Sequence, residues 1–557
     1  MDNANISFSL GEYQDAVAIA MYAIRRDNIP HRIQTKDYTV WKQEPDEIVN
    51  RLGWLDAPAE TLKKSIYIRA TLKPLIKNID DVVLLGIGGS SLAAEVFSKI
   101  FRSHAGYPKL HIVDTTDPAY ILKITRRLNL KKTVFLVSSK SGTTLEVISL
   151  FKYFYNLTFK KSGNNAGNRF VFITDKGSPL TKIAKNIFAY HIFLNNPDIG
   201  GRYSALSFPG IIPAAIIGVD VEKLLQKATD KSETEKEYLS GAYLGAVLGT
   251  LALAGRDKLT LLLPSRWKSF GDWLEQLIAE STGKEGKGIL PVLNEPIQDN
   301  FSYGKDRVFV FFQNKKIKYS PMESLISAGH PVITVNINDD YDLGAQMFIW
   351  EMATAVATHY LGVNPFDQPG VEAAKKYARR IIAEYTEKKK YISDQQPALS
   401  SKQGDVYGNI TDATPAEAFT NFLKQAVAGD YICLQIYLSP SPKIDAAINY
   451  LCESIRRKYS LPVTYGYGPL YLHSTGQLHK GDSGNGLFIQ LTQDNSLDVD
   501  IPDDIGKEKS SLTFGALKAA QAKGDWQALK DAKRRVIRFH CKANSAAGLK
   551  NLAELLF

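Results

Sequence analysis

Val82-Val83-Leu84-Leu85-Gly86-Ile87-Gly88-Gly89-Ser90-Ser91 reads as a buried β-strand, a glycine turn and the start of a helix. An unbroken apolar run without polar alternation suits a strand covered on both faces of a parallel sheet. Outward from it the same alternation continues. Lys109–Val113, Thr133–Val137 and Phe170–Ile173 are short apolar, β-branched runs separated by stretches of helical periodicity. A second series starts at Leu259–Leu263, continues through Arg307–Phe312 and Pro331–Val335, and ends in helices running to about Lys390. Upstream, residues 1–70 read as helical around Tyr13–Ile24, followed by a connector bearing Trp41 and Trp54. Downstream, the polar stretch Ser393–Gly408 reads as a linker. Beyond it come strand Tyr431–Leu438, helix Ile444–Lys458, strands near Pro462–Tyr467 and Gly486–Leu491, and a basic helix around Gln527–Arg535. The expected class is α/β, with two doubly wound parallel-sheet domains and a smaller C-terminal α/β domain. The expected division is 1–70 for the N-terminal segment, 71–220 and 221–392 for the two sheet domains, and 409–557 for the last.

Composition supports a soluble globular chain of several domains. Its 557 residues exceed what one hydrophobic core holds, and 44% hydrophobic with 23% charged residues excludes a disordered or collagen-like chain. The weakly polar stretches Leu206–Val219 and Gly241–Gly255 are too short to span a bilayer, and Met1–Leu10 lacks the pattern of a secretory signal. Cys433, Cys452 and Cys541 show no metal-like spacing and form no disulfide framework, so the cytoplasm is the expected compartment. The net charge of +10 suits an anionic small molecule or a nucleic acid. The basic clusters Lys388–Lys390 and Arg534–Lys542 read as solvated helix faces, because no aromatic-interleaved motif accompanies them. Neither a nucleic acid nor a membrane is therefore expected as a partner.

Two loops could hold a phosphate. In the first, the helix N-terminus after Gly88, Gly89, Ser90 and Ser91 offers free N–H groups, and the helix dipole favours an anion there. This loop also resembles a dinucleotide fingerprint, with Asp114 ending the following strand near where a ribose-binding acid sits. Ser91 departs from that fingerprint, which has Gly or Ala at its third small position. The second loop, Ser138-Ser139-Lys140-Ser141-Gly142-Thr143-Thr144, runs from a strand straight into the helix Leu145–Phe154. An ordinary N-cap accounts for one or two hydroxyls, whereas this density suits a compact monophosphate.

With these loops the chain resembles the sugar isomerase domain and, within it, the phosphoglucose isomerase family. The likeness continues through Gly200-Gly201-Arg202-Tyr203-Ser204, then Glu280-Ser281-Thr282-Gly283-Lys284-Glu285-Gly286-Lys287-Gly288, then Phe366-Asp367-Gln368-Pro369-Gly370-Val371-Glu372-Ala373-Ala374-Lys375. Five motifs in the family's order are far more specific than any one. The flanking parts, including Arg51-Leu52-Gly53-Trp54-Leu55-Asp56, resemble the isomerase half of fused transaldolase–phosphoglucose isomerase proteins. The transaldolase half is not expected, because no strand-helix barrel precedes Asp81.

The resemblance implies interconversion of glucose 6-phosphate and fructose 6-phosphate through an enediol. Such chemistry needs a base, a cation facing the enediolate and a group that opens the sugar ring. Trp273–Ser281 reads as a helix ended by Gly283, which puts Gln276 and Glu280 on one face, Glu280 being the base that the motif implies. Arg202, after two glycines, suits the enediolate oxygens, with a structural salt bridge as its alternative. By resemblance Gln368 contacts the phosphate and Lys375 assists ring opening; a solvated Glu372–Lys375 pair is the alternative for the lysine. The family's bacterial form carries an H-S-M-G-Q ring-opening histidine between the E-S-x-G-K and F-D-Q motifs. Here that interval holds only His330 and His359, neither in the motif, while His473-Ser474-Thr475-Gly476-Gln477 stands in the terminal domain. His473 is thus the candidate for ring opening, with His330 in reserve. No metal-ligand spacing is present and no cofactor is expected. The oligomeric state stays open, with a homodimer as the expectation. Two other readings compete: a sugar-phosphate-binding regulator on the same fold, and more remotely an NAD-dependent dehydrogenase using Gly86–Ser91. Met1-Asp2 offers no cysteine nucleophile for a glutamine amidotransferase.

Overall fold

The computed structural model of the chain describes residues 5–233, 235–297, 303–314, 321–388, 396–402, 404–542 and 545–556. Three sheets organise them. The first runs in spatial order Lys109–Val113, Asp81–Leu85, Thr133–Ser138, Phe170–Thr174 and His191–Leu194, all parallel. Two of its interior strands, Thr133–Ser138 and Phe170–Thr174, are buried along their whole length, as an apolar run without alternation demands. The second has the order Ile6–Ser9, Val332–Asn336, Arg307–Gln313, Lys258–Leu262 and Leu290–Val292. The third runs Leu399–Ser400, Gly404–Tyr407, Arg535–Cys541, Gly486–Gln493, Tyr431–Tyr437 and Val463–Tyr467. One apolar cluster spans the first two sheets, with Val82, Leu84 and Val134 in the same core as Leu259, Val310 and Ile333.

Several expectations are corrected. The N-terminal segment is not wholly helical, because Ile6–Ser9 pairs antiparallel with Val332–Asn336 at the edge of the second sheet. The stretch read as a linker contributes two strands to the third sheet, Leu399–Ser400 pairing with Gly404–Tyr407, which in turn pairs with Arg535–Cys541. Residues 393–395 and 403 of that stretch lie outside the described residues, as do Lys389 and Lys390 of the basic cluster and Met1-Asp2. The basic helix ends at Asp531, and Arg535–Cys541 is a strand lying between Gly404–Tyr407 and Gly486–Gln493. From Ile537 onward its side chains alternate, with Ile537, Phe539 and Cys541 on one face and Arg538 and His540 on the other, a period-two pattern.

The third sheet is knit to the other two. Tyr431, Cys433, Leu478 and Phe488 pack with Ala279, Leu290 and Val292, while Val499, Ile501, Phe514 and Leu517 join the core under the first sheet. Asp117, at the N-cap of helix Pro118–Thr125, accepts hydrogen bonds from Ser439 and Lys518, both at 2.8 Å. Among the described residues no helix is long and apolar enough to cross a membrane. Cys433, Cys452 and Cys541 are free thiols.

Candidate active site

A cavity of about 800 Å³ opens where the carboxyl ends of the first sheet meet helix Lys268–Thr282, helix Pro369–Lys388 and the segment Leu470–Gly481. Every candidate residue lines it except Ser91, Ser139 and the reserve candidate His330. The Ser91 hydroxyl turns inward to the Gly88 carbonyl and Asp114. The Ser139 hydroxyl is buried, sharing a 3.0 Å hydrogen bond with Thr144 and accepting the Gly142 N–H. These two serines shape the loops. Ser90, Ser141, Thr143 and Thr144 are the hydroxyl residues of the two loops that line the cavity. No side chain caps the N-terminus of helix Leu145–Ser162, so its first-turn N–H groups keep their anion-binding capacity. Lys140 is tied to Asp175 at 2.8 Å and to the Pro197 carbonyl.

The glycine turn brings separate motifs into contact. Gly88 has φ +60°, and a Cβ there would lie 2.9 Å from the His473 Cβ; one at Gly89 would collide with the Gly201 carbonyl. Only glycines let this loop touch both Arg202's approach and the terminal segment. Beneath it an aromatic ladder runs from Trp54 to Tyr203 at 5.2 Å, Tyr203 to Phe366 at 5.2 Å and Phe366 to Trp41 at 5.4 Å. Through it the N-terminal segment fixes Tyr203, the residue after Arg202.

Glu280 and Arg202 form the buried centre, with Nη1 to Oε1 at 3.1 Å and both side chains almost wholly shielded. Arg202 also donates to Ser281 Oγ at 3.0 Å and to the Pro365 and Asp367 carbonyls at 2.6 and 2.9 Å. It is a structural clamp that also borders the cavity. Gln276 stands one turn before Glu280 and donates to its Oε2 at 3.2 Å and to the His473 carbonyl at 2.6 Å. Gln276 Oε1 is buried without a partner among the described residues. Lys284 is ion-paired to Asp367 at 2.7 Å, joining the Glu280 and Phe366 motifs; burial, then the Arg202 charge, push its pKa down to about 7. Lys375 is half-buried on the cavity wall and paired with Glu372 at 2.9 Å, the geometry of the plain surface pair.

His473 comes from the terminal unit. Its Nε2 lies 3.1 Å from Glu146 Oε1, which also accepts from Gln521 at 2.6 Å. Burial alone would raise the Glu146 pKa, but the charge and hydrogen bond of His473 outweigh it and hold the carboxyl below its usual range. Gln477 pins the segment by donating to the Gly283 carbonyl at 3.0 Å and accepting the Gly370 N–H at 2.8 Å. The reserve candidate His330 does not line the cavity. It packs on Phe309 beside Arg256, and burial followed by the Arg256 and Arg307 charges push its pKa down to about 4. His359 is bonded to the Val40 carbonyl. Sequence reasoning missed Glu146 and Gln521. An acid in the first turn of a helix reads as a dipole partner, and nothing in the chain links it to a histidine 327 positions away.

A profile of the phosphoglucose isomerase family matches residues 65–286. The glucose-6-phosphate isomerase of Acholeplasma laidlawii is 31% identical over 383 residues, 59% of this chain and 90% of that protein. That of Staphylococcus epidermidis is 29% identical over 399 residues, 62% of this chain and 90% of its own length. Among solved structures, a hypothetical protein of Thermus thermophilus superposes with a TM-score of 0.58 at 24% identity, covering 68% of this chain and all of that one. A glucose-6-phosphate isomerase of Chlamydia trachomatis gives 0.53 at 17% identity, covering 69% and 89%. At these identities the two structures speak for the fold alone.

Proposed function

The chain belongs to the phosphoglucose isomerase family, and from that premise we propose that it interconverts glucose 6-phosphate and fructose 6-phosphate through an enediol. The observation that carries the reading is the buried Glu280–Arg202 pair facing a hydroxyl-rich phosphate loop across one cavity. The phosphate binds Ser90, Ser141, Thr143, Thr144 and the first-turn N–H groups, with Gln368 at the rim. Glu280 moves the proton between neighbouring carbons, and its carboxylate is oriented by Arg202 and Gln276. Arg202 places positive charge beside the developing enediolate. Gln276 Oε1, an acceptor with no donor among the described residues, takes a sugar hydroxyl.

His473 opens the ring. A histidine exchanges protons near neutrality, and the Glu146 carboxylate fixes its orientation. Lys375 stands on the same wall and assists by its charge. Three unpaired thiols fit a cytoplasmic protein. The test is a coupled assay of fructose 6-phosphate formation from glucose 6-phosphate, run with and without EDTA. Turnover in both supports the reading, and no turnover in either refutes it.

A further inference from the structure

A second cavity, of about 670 Å³, lies at the carboxyl ends of Tyr431–Tyr437, Gly486–Gln493 and Arg535–Cys541, three mutually parallel strands. In open α/β sheets ligands bind at such strand ends. Its other walls are helix Phe514–Asp531 and the face of helix Pro369–Lys388 that carries Tyr377, Arg380 and Ile381, whereas Lys375 and Arg379 line the first cavity. The basic strand that sequence alone reads as a solvated helix supplies Arg538 and His540 to this cavity.

Arg538 is the feature that needs a ligand. It is 8% exposed, and its guanidinium lies 4.6 Å from the Trp526 ring and 5.8 Å from Tyr407. Its Nε donates to Gln490 Oε1 at 2.7 Å and its Nη2 to the Ala522 carbonyl at 3.4 Å. Among the described residues no carboxylate lies within ion-pair distance of it. Asp525, whose charge reaches it, is already held by Lys480 and Tyr471. Two other cations of the cavity wall have acids of their own, Lys518 with Asp117 at 2.8 Å and Arg380 with Glu384 at 3.9 Å, and the His540 ring faces Asp494 at 3.3 Å. A buried cation without an anion is costly. Two more buried polar atoms on the wall also lack partners among the described residues, the Nε1–H donor of Trp526, itself 3% exposed, and the Asn495 Oδ1 acceptor.

We propose that this cavity binds a small organic phosphate carrying a flat ring, of the nucleoside monophosphate class. A phosphate supplies the anion that Arg538 lacks and has acceptors to spare for the Trp526 N–H. The half-buried rings of Tyr377 and Tyr407 flank a planar base, and a base amino group meets Asn495 Oδ1. The volume falls within the range of small-molecule sites.

The experiment titrates adenosine 5′-monophosphate calorimetrically into the full chain with 6-phosphogluconate saturating the first cavity. Adenosine and ribose 5-phosphate run as separate arms. The nucleotide is expected to bind with submillimolar affinity, and each fragment about tenfold more weakly or worse. Ala519→Phe fills the cavity without removing an internal hydrogen bond, and Arg538→Gln removes the charge. Each should weaken nucleotide binding about tenfold or more, with isomerase turnover unchanged. Absence of binding at about 5 mM nucleotide overturns the proposal. So does wild-type affinity in Ala519→Phe, which stands as the test even if Arg538→Gln fails to fold.

Discussion

Replacing His473 by alanine separates ring opening from proton transfer between carbons. The imidazole touches Glu146, whereas what holds Gln276 is the His473 backbone carbonyl at 2.6 Å, which alanine keeps. Gln276, Glu280 and Arg202 therefore stay in place, and only the step needing the imidazole fails. Loss of one general acid–base group costs about 100-fold or more in turnover, roughly 2.7 kcal/mol of barrier. The loss should appear in fructose 6-phosphate formation from cyclic glucose 6-phosphate. Proton exchange of an open-chain analogue in deuterated water, followed by NMR, should stay near wild type. A stability signature accompanies it. Glu146 is held below its ordinary pKa, so in the wild type it favours the fold above that value and loses this effect as pH falls through it. Without His473 the largest opposing influence, burial, raises the Glu146 pKa, and the variant should be more destabilised at pH 8 than at pH 5. Full turnover on the cyclic substrate, or an equal loss on both substrates, would refute the reasoning.

The phosphate loop predicts a split among its hydroxyls: Ser141→Ala and Thr144→Val should each raise KM by an amount equivalent to roughly 1–3 kcal/mol, with matching losses of 6-phosphogluconate affinity by calorimetry. Ser139→Ala, whose hydroxyl is bonded inside the loop, should instead lower the melting temperature; wild-type affinity in the Ser141/Thr144 double variant would remove the assigned pocket. Asp272 has its pKa pushed up to about 7 by burial and then by the Glu95 charge. The fold therefore retains a proton that the unfolded chain releases near its ordinary value, and this contribution to stability declines between about pH 4 and 7. Asp272→Asn should gain melting temperature relative to wild type as pH rises from 5 to 8, and parallel melting curves would contradict the assignment.

The parts of the fold legible in the sequence were those whose signal is local. The buried strands of the first sheet announce themselves as apolar runs, and the glycine and hydroxyl loops follow them directly, so the cavity floor could be read from Gly88 to Thr144. Ile6–Ser9 could not, because its partner strand lies more than 300 residues away and a short edge strand carries little periodicity. Arg535–Cys541 misled because three basic residues suggest a solvated helix, whereas Arg538 is buried against Trp526. The Glu146–His473 contact escaped for the same reason of distance. Lys375 shows the converse. It lines the cavity, yet its pairing with Glu372 follows from ordinary helix spacing.

The most direct test of Glu280 as the base is Glu280→Gln, which keeps the side-chain shape and one acceptor oxygen toward Arg202 while removing the carboxylate that takes the proton. The variant should lose about 100-fold or more in turnover in the coupled assay, with 6-phosphogluconate affinity unchanged by calorimetry. Near wild-type turnover would contradict the account.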